Sequence, residues 1–194
     1  MYAASYSFSI KTYRFHTKKK SKRYKEQRPE QVEAYLKAIS NIPKSQIAYV
    51  DESGIDTYLY REFCYGQKGE KIIGYISGRK YRRVGIVAAK AGKNTIAPMY
   101  YERTMESRLF EEWFEKHLLP ELSIGTTIIM DNASFHRKSK LIQLAQSYGY
   151  NLIFLPPYSP ELNSIEKYWS WIKNKLRKIL PDYSDFDSAL CAIF

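Results

Sequence analysis

Three acidic residues stand where the chain pattern can bring carboxylates together. Asp51 follows the apolar run Gln46–Val50, Asp131 follows Thr126–Met130, and Glu166 opens the helical stretch that runs to Lys178. Three gathered carboxylates repel one another, and they coexist only with cations between them or with raised pKa values. Hard oxygen donors with open positions favour Mg²⁺, with Mn²⁺ as its substitute. Two such ions roughly 3.5–4 Å apart activate an attacking oxygen and steady the leaving one during phosphoryl displacement. The residues expected to be both catalytic and metal-holding are therefore Asp51, Asp131 and Glu166. Glu52 and Asp56 are the alternatives to Asp51, ranked below it because Asp51 directly follows the apolar run. Taken singly, an Asp at a strand end is more often a turn former or cap than a ligand, and Asp131-Asn132 fits such a turn. His136 reads either as a group that touches a phosphate or carboxylate, or as a surface histidine. The chain has no Gly-rich phosphate loop, Ser/His/Asp arrangement or zinc-ligand spacing.

The elements that must position these acids follow from periodicity. Apolar runs predict strands over Gln46–Val50, Arg83–Lys90, Thr95–Tyr101, Thr126–Met130 and Asn151–Leu155. The first is expected to end at Asp51, in a turn through Glu52-Ser53-Gly54. Thr57–Tyr65 alternates like its hairpin partner, and Ala91-Gly92-Lys93-Asn94 reads as a tight turn. Helical spacing predicts helices over Glu30–Ile39, Met105–Leu119, Lys138–Gly149 and, at the end, Ser184–Phe194. Between Leu155 and Lys178 a proline-braked segment becomes a helix, with Ser159 as N-cap and Pro160 at the first helical position. Its apolar stripe is Ile165, Trp169, Ile172, Leu176 and Ile179. Glu166 is expected on the half-shielded flank of that stripe, ahead of Ser170, Lys173 and Arg177. An amphipathic surface helix with a solvated charged edge is the plain alternative. Hairpins followed by alternating β and α units imply a mixed sheet with helices on its faces, and place the strands bearing Asp51 and Asp131 side by side. Tyr148, Tyr150, Phe154 and Tyr158 are expected as core and rim rather than as a base-stacking platform.

Charge is unevenly spread. The net charge is +11, and residues 1–28 carry nine Lys/Arg against one Glu, leaving only +3 for the rest. Nucleic acid is the expected partner of such a segment, with a general solubility role as the alternative. Cys64 and Cys191 lie 127 positions apart with no CxxC, as reduced thiols of a cytoplasmic protein would. No apolar run is long enough to span a membrane, and no secretory signal is evident.

The blocks Y-V-D-E-S-G (Tyr49–Gly54), I-I-M-D-N-A-S-F-H (Ile128–His136) and L-P-P-Y-S-P-E-L-N-S-I-E-K-Y-W (Leu155–Trp169) carry a resemblance. Together they resemble the catalytic domain of bacterial insertion-sequence transposases of the mariner superfamily. Asp131 and Glu166 enclose 34 residues, similar to that group's Asp-Asp-Glu spacing. The resemblance covers roughly Ile47–Phe194. It implies an α/β fold, a ribonuclease-H-like mixed five-stranded sheet flanked by helices, over residues 46–194. Residues 1–45 are then a basic linker with one short helix. It further implies a Mg²⁺-dependent DNA endonuclease and strand transferase using two ions, with Asn132, His136 and Asn163 in supporting positions. Arg79, Lys80, Arg82, Arg83, Lys167, Lys173 and Arg177 are expected to hold the DNA backbone.

Two features differ from the family pattern. Ser164 stands where family members generally have proline, a change a helix start tolerates. Paired helix-turn-helix modules normally precede the catalytic domain, so the chain is expected to be part of a split or truncated reading frame. The expected partners are element ends, target DNA, a second copy in a synaptic dimer and the product of an upstream helix-turn-helix frame. The expected location is the bacterial cytoplasm, at the nucleoid. Two other functions fit less well. One is a catalytically silent DNA-binding remnant that competes with an intact transposase. The other is a general nuclease acting on RNA–DNA hybrids.

Overall fold

In the computed structural model, which describes residues 24–59, 64–79 and 81–194, five strands form one mixed sheet in the order β3-β2-β1-β4-β5. The strands are β1 (Ile47–Asp56), β2 (Arg83–Ala91), β3 (Asn94–Tyr101), β4 (Thr127–Met130) and β5 (Asn151–Phe154). The helices are α1 (Pro29–Ile39), α2 (Ser107–Trp113), α3 (Leu119–Glu121), α4 (Lys138–Ser147), α5 (Ile165–Ile179) and α6 (Phe186–Cys191). One π turn, Phe114–Leu118, joins α2 to α3, where Pro120 occupies the first turn. Among the described residues no helix is long and apolar enough to cross a membrane.

The first strand departs from the sequence expectation. It does not turn at Asp51 but runs through Glu52-Ser53-Gly54 to Asp56, paired antiparallel with β2 from Ala48↔Ala91 to Asp56↔Arg83. Its hairpin partner is thus β2, and Thr57–Tyr65 forms no strand among its described residues. A neighbour paired continuously from Ala48 to Asp56 overrides the local turn propensity of Ser-Gly. Gly92, with φ +58, makes the β2–β3 turn, as only glycine does without strain. In β3, Ala97 and Pro98 together oppose Ala88, a bulge in which Ala97 has φ +48. The Trp113 indole N–H donates to the Ala97 carbonyl at 2.8 Å and fixes it.

Alternation along β1 divides the core between two faces. Ala48 and Val50 face one layer with α2, the π turn and α4, where Phe110, Trp113, Phe114 and Leu141 are buried. Ile55 faces the other, against Trp169, Ile172 and Leu176 of α5 and Leu190 of α6. Tyr35 of α1 is buried with Ile47, Ile129 and Leu155. The α5 stripe is as the spacing predicts, but its start is not. Pro160–Leu162 forms a separate 3-10 turn, and the α-helix begins at Ile165 with Ser164 at its N-cap. Ser159 makes no capping bond; its hydroxyl donates to the Pro157 carbonyl and accepts from Gln27.

Candidate active site

β1 and β4 are parallel and adjacent, with Val50 opposite Met130. The next residues, Asp51 and Asp131, therefore emerge side by side, about one strand spacing (~4.8 Å) apart in backbone terms. β4 stops at that point and β1 continues, so Asp131 stands at an open edge while Asp51 is held within the sheet. Position 51 faces α5, where the buried Trp169 donates its indole N–H to Asp51 Oδ2 at 2.9 Å. Glu166 lies one turn before Trp169 and is exposed rather than half shielded. Asp51, Asp131 and Glu166 all line one pocket of about 660 Å³, together with Asn132, Asn163 and Tyr158.

The electrostatics are those of crowded acids. Burial raises the Asp51 carboxyl to about 8, and Glu166, Glu52 and Asp131 push in the same direction against the Trp169 bond. Asp131 responds differently. Burial works to raise it, but the His136 bond and the Ala133 N–H outweigh burial and hold it below its ordinary value. His136 is buried, 3.3 Å from Asp131 Oδ1 through Nδ1 and 3.5 Å from Glu52 Oε1 through Nε2. Burial opposes its charge, yet the two carboxylates raise it to about 9. Glu52 is raised, by burial first, with His136 working against the shift.

The donor set suits a hard divalent cation, since three carboxylates share the pocket and one is forced to keep its proton when no charge balances it. As they stand, however, no three His, Cys, Asp or Glu side chains among the described residues form a metal-holding group. Asp51 is turned to Trp169, Asp131 to His136, and Glu166 to solvent. The acids share a pocket without converging on one point.

Residues 46–188 match the family model for the DDE superfamily endonuclease. The chain belongs to that family. It is 37% identical over 70 residues to the uncharacterized protein y4pE/y4sA of Sinorhizobium fredii (strain NBRC 101917 / NGR234), covering 34% of the chain and 47% of that protein. Its fold is similar to the Mos1 transposase paired-end complex with left transposon end, at a TM-score of 0.63 and 13% identity over 84% of this chain and 53% of that one. The Mos1 mariner paired end complex with Mn gives 0.59 and 13% over 92% and 63%. The complex with Mg gives 0.58 and 10% over 91% and 63%. The chain spans about half the length of the first relatives it matches. At these identities the likeness to Mos1 is one of fold, the ribonuclease-H-like mixed sheet.

Around the acids of this member of the DDE superfamily, the other expected residues divide. Asn132 donates its side-chain N–H to the Leu155 carbonyl, tying the end of β4 to the exit of β5. Asn163 is 4% exposed, and its side-chain oxygen has no protein partner. Lys173 is half-buried beside Glu166, Arg83 and Arg177; burial lowers its pKa, Glu166 opposes the shift, and the two arginines add to it. Lys167 and Arg79 are exposed, and Lys80 lies outside the described residues. Arg82 is already matched by Glu102 at 3.1 Å and by Asp187 of α6, so its charge is spent on the fold. Two participants escaped sequence reasoning. Trp169 reads as core, although a buried indole N–H needs an acceptor. Glu52 reads as a rival to Asp51, whereas strand alternation sends it to the opposite face, onto His136.

Proposed function

We propose that this chain carries the catalytic domain of a DNA transposase that nicks the ends of an insertion sequence and joins them to target DNA. The observation that supports this reading is one pocket lined by Asp51 and Asp131, from the end of the parallel β1–β4 pairing, and by Glu166 from α5. Asp51, Asp131 and Glu166 would hold two Mg²⁺ or Mn²⁺ ions, which when bound supply charge stabilisation to the phosphoryl oxygens and a more acidic water.

The chain's own residues have separate tasks. Trp169 orients Asp51, and the Glu52–His136 pair orients Asp131 from the opposite face. The open edge after β4 admits the scissile phosphodiester. In the first step, water forms a bond to phosphorus as the bond to the 3′ oxygen breaks, and that oxygen leaves as a hydroxyl. In the second, the same hydroxyl forms a bond to phosphorus of a target phosphodiester by the same in-line route, as the bond to the target's own 3′ oxygen breaks and that oxygen leaves as a hydroxyl. Arg83, Lys167, Lys173 and Arg177, with Arg79 and Lys80, grip the backbone and position DNA without reading its sequence.

Two copies acting on paired ends, end recognition by the helix-turn-helix product of an upstream frame, and a cytoplasmic location at the nucleoid belong to the same proposal. So does the division into a basic linker with one helix (1–45) and a catalytic domain (46–194). The test is a nicking assay on the element's terminal repeat, with and without the upstream product. Asp131→Asn is expected to abolish Mg²⁺-dependent nicking and leave DNA binding at least as strong. A fully active mutant would sink the assignment. The rival, a silent DNA-binding remnant, predicts no nicking under any of these conditions.

A further inference from the structure

The pocket beside the acids is larger than two cations and a phosphate require, and its outer wall is aromatic. Tyr24 and Tyr158 both line it, 57% and 55% exposed, with ring centroids 6.1 Å apart and planes tilted by 42°. A base sandwiched between two rings needs about 6.8 Å, twice the ~3.4 Å stacking rise, so a small rotation opens a slot of the right width. The geometry points to a subsite for one unpaired nucleobase, held between Tyr24 and Tyr158 next to the scissile phosphate.

Three further observations support the slot. Tyr158 has φ +57, a left-handed backbone that a bulky side chain rarely adopts and that surrounding contacts must enforce. Those contacts are present. Gln27 donates to the Ser159 hydroxyl at 2.8 Å and to Glu161 Oε1 at 2.6 Å, and reaches the Tyr158 carbonyl at 3.5 Å. One side chain thereby holds both the segment carrying Tyr24 and the loop carrying Tyr158. Finally, Asn163 lines the same pocket, buried, with a side-chain oxygen that accepts no hydrogen bond from the protein. A buried unpaired acceptor is costly unless a ligand satisfies it, and base N–H groups supply such donors. The two rings provide stacking that any base can use; Asn163 provides one directional contact.

This subsite rests on the transposase reading for its position beside the cleaved bond, yet it can be tested without cleavage. The full chain is titrated, in EDTA, against one short fluorescein-labelled duplex in three forms. These are fully paired, with one unpaired terminal adenine, and with an abasic residue at that same position. The expected result is roughly tenfold tighter binding of the unpaired-base form than of the abasic form, the size of one aromatic stack. Tyr158→Ala should erase the difference, Tyr158→Phe should keep it, and Tyr24→Ala, an exposed position, should reduce it. Replacing the unpaired adenine by 2-aminopurine should give fluorescence quenching on binding to the parent chain and to Tyr158→Phe, but not to Tyr158→Ala. Equal affinity for the unpaired and abasic forms, or a difference that survives in a folded Tyr158→Ala chain with a normal melting curve, overturns the subsite. A chain that shows the base preference but never nicks with Mg²⁺ keeps the subsite and loses the transposase reading. A chain that nicks without the preference does the reverse.

Discussion

At the scale of single residues the site is a balance between acids and the few groups that restrain them. The Trp169 hydrogen bond lowers the Asp51 pKa against burial and the neighbouring acids, so Trp169→Phe should raise it further. Mg²⁺-dependent nicking should then need more metal, while the lost bond costs about 1–3 kcal/mol of stability; metal titration of the rate and urea unfolding separate the two effects. Metal-free stability should also depend on pH in a fixed direction. Asp51 rises from 3.8 to about 8 and His136 from 6.5 to about 9 on folding. Both therefore hold more protons folded than unfolded. Their contribution is full below the unfolded pKa values and is lost as pH rises through the folded ones. Melting temperature should fall between pH 6 and pH 9. Asp51→Asn should remove the part lost up to about pH 8, and His136→Gln the part between about 6.5 and 9. A melting temperature that climbs over this range contradicts the burial shift of Asp51 and the carboxylate pairing of His136.

At the scale of elements, α5 does two things at once, since its apolar stripe seats it on the sheet and its edge presents Glu166 and Lys173. Ile172 is fully buried in that stripe. Ile172→Ala should cost about 2–5 kcal/mol and reduce nicking, because Trp169 and Glu166 lose their register over Asp51 together. The β1–β2 pair shows a different constraint. Gly54 and Gly85 lie opposite each other, and a methyl group at either would overlap, respectively, the Arg83 guanidinium and the Tyr101 ring. Gly85→Ala should therefore destabilise by about 1–3 kcal/mol, readable as a lower urea midpoint with an unchanged slope.

At the scale of the whole molecule, charge and fold act separately. Arg83 at the start of β2 and Lys167, Lys173 and Arg177 along α5 belong to the folded residues, whereas most of the net charge lies in residues 1–28. Each phosphate neutralised should add about 0.9 to the slope of log affinity against log salt. Lys173→Ala should lower that slope by roughly one contact, and removing residues 1–28 should lower it by several; an unchanged slope in both would assign DNA binding elsewhere. Tyr35 of α1 is buried against Ile47, Ile129 and Leu155, so removing residues 1–45 should weaken the domain without unfolding it.

Much of this was legible in the chain itself. Strands at Arg83–Lys90, Thr95–Tyr101 and Thr126–Met130 and the stripe from Ile165 to Leu176 follow from periodicity, because burial on a sheet or helix face imposes a local repeat. The side-by-side placement of Asp51 and Asp131 follows from the order of elements. What the chain left open was decided by partners distant in sequence. β2 pairs with β1 from Ala48 to Asp56 and removes the expected turn at Asp51. The Pro160 turn closes before α5 starts, which moves the helix start to Ile165. Trp169 and His136 take opposite faces of the sheet to restrain Asp51 and Asp131, and Gln27 fastens Tyr158 from more than a hundred residues away. None of these leaves a periodic trace, since a hydrogen bond between remote side chains depends on where two backbones meet and not on the spacing within either one.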